Sequence, residues 1–209
     1  MSSNELGLTS IHEHVFLGLT PDQWAVNNLL SDPELAYREL IRFKEAGGVT
    51  IVDQTTGGLR GRDNHLLPVE HPVAVRQMAE RTGLKIVLGT GWYREPFYEQ
   101  RLYRMRTNEI ADELVSDVEQ GIEGTDVRAG ILGEIGAHFT WVSPAEERVF
   151  RAVARAHEQT ELTVATHALW WSHGLDQLDI LEEEGVDPRR VIVGHGQTHP
   201  YHEYHAEIA

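Results

Sequence analysis

With 209 residues, 41% of them hydrophobic and 24% charged, the chain can bury a sizeable core, which excludes a disordered, collagen-like or repeat-tract polypeptide. Lysine and arginine number 18 against 33 acidic residues, a net charge of −15, so neither a nucleic acid nor an anionic membrane is the expected partner. There is no cysteine, which removes disulfides, thiolate metal sites and a cysteine nucleophile, and no apolar run approaches the roughly 18 residues of a membrane span.

The opening MSSNELGLTS lacks the charged-then-apolar pattern of a signal peptide, so the expected compartment is the cytoplasm. Residues 8–14 (LTSIHEH) form the first short apolar run. A helical pattern over 32–47 follows, with Ser31 or Asp32 as its cap and a Gly pair at its end. The run 49–55 (VTIVDQT), the helix 73–83 and the run 84–91 (LKIVLGTG) come next, then a helix over 108–121 and the run 129–136 (AGILGEIG). The helix 143–161 opens on Ser143-Pro144-Ala145-Glu146, a capping box with Pro at the first helical position. The run 162–168 (LTVATHA), a helix over 174–185 and the run 191–196 (VIVGHG) complete the alternation, and 202–209 turns helical again.

Each run is short, mostly rich in Val, Ile, Leu and Thr, and apolar on both faces, the pattern of a buried parallel strand. Six strands alternating with five helices predict one α/β domain over 1–209. The runs recur about every 37 residues, so a barrel of eight such units needs about 300 residues, against about 250 for a typical (β/α)8 barrel. The expectation is six of eight units, the last two lying outside this sequence; an open doubly wound sheet is the alternative.

Histidine is the unusual count, at 12. His12 and His14 sit two apart at the end of the first run, so both rings face one way and Glu13 the other. Glu134 ends the fourth run, His167 the fifth and His195 the sixth. In a parallel α/β array these C-terminal strand ends share one rim, where active sites are built. Four imidazoles and a carboxylate without sulfur suit Zn²⁺, and also Mn²⁺ or Co²⁺. One such cluster could hold two ions if Glu134 bridges them.

The segments LGLTSIHEH, GVTIVDQTTGGLRGRD, GTGWYREPFY, GEIG, THALWW with VDPRRVIVGHGQTHP, and YHEYHAEIA, in that order over about residues 6–209, resemble the phosphotriesterase family of the amidohydrolase superfamily. The resemblance implies a (β/α)8 TIM barrel, incomplete here at about six units, that hydrolyses its substrate at a binuclear metal centre. It implies that His12 and His14 hold the more buried ion, that Glu134 bridges, and that His167 and His195 hold the more exposed ion. The best-known members bridge with a carboxylated lysine; Glu134 matches the phosphotriesterase-homology and phosphotriesterase-related branch. The family's proton-shuttling Asp on strand eight has no counterpart in this sequence, so the catalytic residue is left unassigned. The implied cofactors are two divalent ions, Zn²⁺ first, with Mn²⁺ or Co²⁺ as alternatives.

The implied substrate is a small molecule, a carboxylic ester or lactone before a phosphotriester or an amide. The rival reading is a non-catalytic metal-binding fragment of such an enzyme. Six strands of eight leave 8–14 and 191–196 as open edges, which predicts aggregation or pairing with a second copy as a homodimer. Tyr93 and Trp92, after the third run, are the substrate-binding candidates, Tyr93 before Trp92. Asp53 reads as a rim carboxylate that orients its loop, with partnership to a ligand His as the alternative. Arg60, Arg62 and Asp63 read as loop-structuring, and Trp170 and Trp171 either wall the pocket or pack under a loop. His138 reads as a rim residue, and His65, His71, His157, His173, His199, His202 and His205 as surface. Glu182, Glu183 and Glu184 read as a solvated helix end.

Overall fold

The computed structural model describes residues 5–19, 29–60 and 69–209. Arg62, Asp63 and His65 lie outside the described residues. The elements in chain order are β1 (Leu8–Glu13), β2 (Leu17–Gly18), β3 (Leu29–Leu30), α1 (Pro33–Glu45), β4 (Gly48–Asp53), α2 (His71–Thr82), β5 (Lys85–Thr90), α3 (Thr107–Glu119), β6 (Ile131–Gly136), α4 (Pro144–Thr160), β7 (Val164–His167), α5 (Gly174–Glu183), β8 (Val191–Gly194) and α6 (His202–Ile208). All six expected strands and all the expected helices form, within a few residues of their expected ends. The antiparallel pair β2–β3 is an addition that two-residue strands give no periodicity to announce.

Local chemistry sets the helix ends. Asp32 caps α1, its carboxylate accepting the backbone N–H of Glu34 and Leu35 at 2.9 and 3.1 Å, ahead of Pro33. At α4 the expected capping box is complete: Ser143 Oγ accepts from Glu146 N, and the Glu146 carboxylate accepts from Ser143 N. That carboxylate also accepts the His138 and Glu95 N–H groups, so one fully buried Glu fixes the helix start and two rim loops together.

The six long strands form one parallel sheet in the order β1-β4-β5-β6-β7-β8. This order is sequential throughout, with no reversal, which removes the doubly wound alternative. A flat sheet would hold its outer strands about 24 Å apart, five spacings of about 4.8 Å. Yet the ring of His12, on β1, lies with its centroid 4.7 Å from that of His195, just past β8. The sheet therefore curls into the arc of an incomplete (β/α)8 barrel. Close strand approach at its centre needs glycine: a Cβ on Gly89 of β5 would fall on the Gly133 carbonyl oxygen, and one on Gly133 of β6 on that of Ala165.

Two apolar clusters back the arc. Phe150, Val153 and Leu114 of α3 and α4 pack on Leu132 and Ile135 of β6, and Val75 and Met78 of α2 pack with Ile51 and Leu88 of β4 and β5. Every residue of β6 is buried, Glu134 included, as expected for a strand apolar on both faces apart from that carboxylate. The outer strands depart from the buried pattern of their sequence and are the open edges expected of an incomplete barrel. Leu8 and Ile11 of β1 and Ile192 of β8 are exposed, because each of these strands has a neighbour on one side only among the described residues. Two histidines read as surface are buried instead, His71 beside Phe16 and His173 at the start of α5. Among the described residues no helix is long and apolar enough to cross a membrane.

Candidate metal centre

The C-terminal ends of four strands deliver the five side chains to one point. The Glu134 carboxylate sits in the middle, 1% exposed. His167 Nδ1 is 2.9 Å from its Oε2, His12 Nε2 3.1 Å and His195 Nε2 3.7 Å from the same oxygen, and His14 Nε2 is 3.4 Å from Oε1. Alternation along β1 does what it must: His12 and His14 both turn to Glu134, while Glu13 turns away and accepts the Ser10 hydroxyl at 2.6 Å. The ring centroids of His167 and His195 are 4.4 Å apart.

The donor atoms divide into two groups that share Glu134. His12, His14 and Glu134 make one, Glu134, His167 and His195 the other, and within each the donors lie within 4.8 Å of one another. Both offer imidazole nitrogen and carboxylate oxygen without sulfur. His12 Nε2 is buried with no hydrogen bond of good geometry despite its closeness to Glu134, which leaves a ring nitrogen in the cluster without a satisfied partner. The residues present fit a pair of divalent ions.

The electrostatics favour an anion at the centre. Burial on its own would push the Glu134 carboxyl up, but the His167, His12 and His14 rings that crowd its oxygens hold it well below the usual carboxylate range. His14 goes the other way: burial lowers it, and the Glu134 contact, with Asp53 and Glu13 behind it, raises it overall. His167 stays low because burial outweighs Glu134, helped by the nearby His195 and Arg94.

The remaining candidates separate clearly. Tyr93 touches the cluster, its hydroxyl 3.2 Å from His167 Nε2 and its ring edge-on to the imidazole. Trp92 packs into the apolar core against Tyr98, with Arg101 over its face. Asp53 is a loop clamp, accepting the Val15 and Thr55 backbone N–H groups at 2.9 Å each. Arg60 is buried and donates to the Thr55 and Gly89 carbonyls and to Glu123, a purely structural set of partners. His138 stands on the rim, 3.4 Å from an Arg94 nitrogen. Trp170 and Trp171 are exposed. Glu183 and Glu184 are held by Arg151, and Glu184 by Arg155 as well, so that helix end is paired rather than merely solvated.

Sequence reasoning missed three residues here. Thr55 Oγ1 lies 3.0 Å from His14 Nδ1. Thr198 Oγ1 accepts the Trp170 N–H and donates to the His195 carbonyl at 2.7 Å, tying the loops after β7 and β8 together. It does so while His195 holds a left-handed backbone, φ 64°, which few residues other than glycine adopt. Gln177 donates to the His167 carbonyl at 3.0 Å from inside α5. No local pattern marks these residues, since each acts on a partner distant in sequence or through the backbone.

Comparison with known proteins identifies relatives of the chain as a whole. The phosphotriesterase family profile matches residues 1–208. The phosphotriesterase homology protein of Escherichia coli is 33% identical over 195 residues, covering 93% of this chain and 64% of that protein. An aryldialkylphosphatase of Saccharolobus solfataricus is 35% identical over 204 residues, covering 93% of this chain and 60% of the relative. Among solved structures, a lactonase of Listeria monocytogenes superimposes with a TM-score of 0.83 at 27% identity, over 98% of this chain and 65% of that one. The chain thus spans about three fifths of the length of the relatives it matches. Its strand order, its curled sheet and the profile match over nearly its whole length lead to one assignment: the chain belongs to the phosphotriesterase family.

Proposed function

We propose that this chain carries the metal-binding part of a hydrolase that uses two divalent ions, Zn²⁺ before Mn²⁺ or Co²⁺, on a carboxylic ester or lactone. The observation that carries the reading is the single buried carboxylate of Glu134, shared by two histidine pairs that reach it from different strands. When bound, such ions would supply an activated water and polarisation of the substrate's acyl or phosphoryl oxygen. His12, His14 and Glu134 would hold one, and Glu134, His167 and His195 the other.

The chain's own residues add the rest. Glu134 stays ionised in its buried position and faces all four histidine rings. Tyr93, wedged edge-on to His167, fixes that ring and presents a hydroxyl beside it. The choice of ester or lactone is supported by the lactonase among the structural neighbours, and phosphotriester hydrolysis by the aryldialkylphosphatase among the relatives.

The test is metal content by elemental mass spectrometry on chain purified from zinc- and manganese-supplemented medium, followed by a lactone and ester screen. Close to two ions per chain and turnover of a lactone are the expected results. A folded chain with no metal overturns the reading, and a metal-loaded chain inert to every ester and lactone overturns the substrate choice and leaves the phosphotriester, amide and non-catalytic alternatives.

A further inference from the structure

Two residues determine what His14 can offer a metal: His14 itself, and Thr55 beneath it. His14 Nδ1 lies 3.0 Å from Thr55 Oγ1. The same hydroxyl lies 3.2 Å from the Phe16 carbonyl oxygen, with the geometry of a donor. A threonine hydroxyl has one proton to give and lone pairs to receive with. The carbonyl can only accept, so it takes that proton. Thr55 Oγ1 is then left as an acceptor for His14, and Nδ1 must carry a hydrogen.

We infer that Thr55 is a positioning residue that keeps a proton on His14 Nδ1, so that Nε2 is the nitrogen turned to the cluster and left for a metal ion. Nε2 is the nitrogen 3.4 Å from Glu134 Oε1, on the side where the first donor group gathers. The relay runs from His14 Nδ1–H to Thr55 Oγ1 and from Thr55 O–H to the Phe16 carbonyl. It fixes both the ring's tautomer and its rotation.

Thr55 is held rigidly for this task. It is fully buried. Its backbone N–H is bound by Asp53 Oδ1, while Asp53 Oδ2 binds the Val15 N–H at 2.9 Å. The Gln54 N–H donates to the Glu13 carbonyl at 2.9 Å, a second stitch between the ends of β1 and β4. The Thr55 carbonyl accepts from Arg60 Nε. Asp53 therefore acts on the centre indirectly, by setting where Thr55 stands.

The inference rests on the proposed metal reading for its purpose, but the protonation of Nδ1 can be read without any metal. The experiment is ¹⁵N NMR of the histidine rings in the wild-type chain, Thr55→Val and Thr55→Ser, each metal-free and with Zn²⁺ alone, together with zinc affinity by chelator competition. A hydrogen-bonded, slowly exchanging proton on His14 Nδ1 is expected in the wild type and in Thr55→Ser in both states. In Thr55→Val that proton exchanges fast, and zinc binds about 10- to 100-fold more weakly. A bare Nδ1 in the wild type overturns the inference. So does Thr55→Val with wild-type zinc affinity and an unchanged Nδ1 proton. Should the wild-type chain bind no zinc, the metal reading fails, and the metal-free spectrum still decides the role of Thr55.

Discussion

The middle of the sheet and its two outer strands are built from the same kind of sequence and end up in different surroundings. β6 is buried along its whole length, and Glu134 and His167 ride on buried inner strands. β1 carries His12 and His14 on a strand whose Leu8 and Ile11 are each 59% exposed. A groove of about 580 Å³ lined by Ser10, His14, Leu30 and Leu40 runs alongside it. The candidate centre thus has an inner half held in the core and an outer half on strands that, among the described residues, have one neighbour each. The difference teaches that hydrophobicity on both faces of a strand sets what it could bury, whereas the number of its neighbours sets what it does bury.

The sharpest way to probe that comparison is through the ligands. Glu134→Ala removes the one donor common to both groups and should abolish uptake of both ions, while His195→Ala removes an outer donor of one group and should leave about one ion per chain. Elemental mass spectrometry on the folded variants separates the two. Equal losses would break the division into shared and unshared ligands.

The apolar contacts give the next largest contrast. Phe150→Ala, in the core behind β6, should cost about 3–5 kcal/mol in urea unfolding. Ile11→Ala on the exposed face of β1 should change stability by no more than about 0.5 kcal/mol. A large cost at Ile11 would mean that the outer strand is covered in solution.

Acid should loosen the outer half. His71 lies under the β1 side of the sheet, its ring edge-on to Phe16. Burial above all, with Arg60 assisting against Asp53 and Glu123, lowers it from 6.5 to about 4. Its neutral form is the folded one, so its contribution is complete above pH 6.5 and is lost as pH falls towards 4, where the unfolded chain binds a proton that the folded chain refuses. The gap corresponds to about 3 kcal/mol. Denaturant titrations of wild type and His71→Leu across pH 7 to 4 should show a fall in the wild type that is shallower in the variant.

The smallest expected effect lies on the inner half. Glu161 closes α4 with φ 58°, the left-handed geometry that glycine adopts without strain. Glu161→Gly should raise stability by about 0.5–1 kcal/mol in the same urea assay.

Much of the strand and helix pattern was legible because it is local. Runs such as AGILGEIG and VIVGHG announce strands by composition, and Ser143-Pro144-Ala145-Glu146 announces a helix start by the hydrogen bonds its side chains must make. The His/Glu cluster was legible for a related reason: one residue type recurring at successive strand ends becomes one site once the strands are parallel. What escaped depends on register and depth. Nothing around Thr55 shows that it will meet His14, because the meeting is fixed by how β1 lies against β4. Nothing around His71 or His173 shows burial, because a histidine at the start of a helix reads alike whether loops cover it or not.

The contact between the rings of His12 and His195 joins nearly the whole described chain into one loop. Closing a loop of that size has to be completed before either ligand gains anything from the other, and such distant pairings form slowly. During synthesis the first histidine pair would leave the ribosome long before its partners exist. On the proposed metal reading, the full set of donors exists only once the arc is complete, and a paramagnetic ion bound there would report that completion rather than the formation of any single strand.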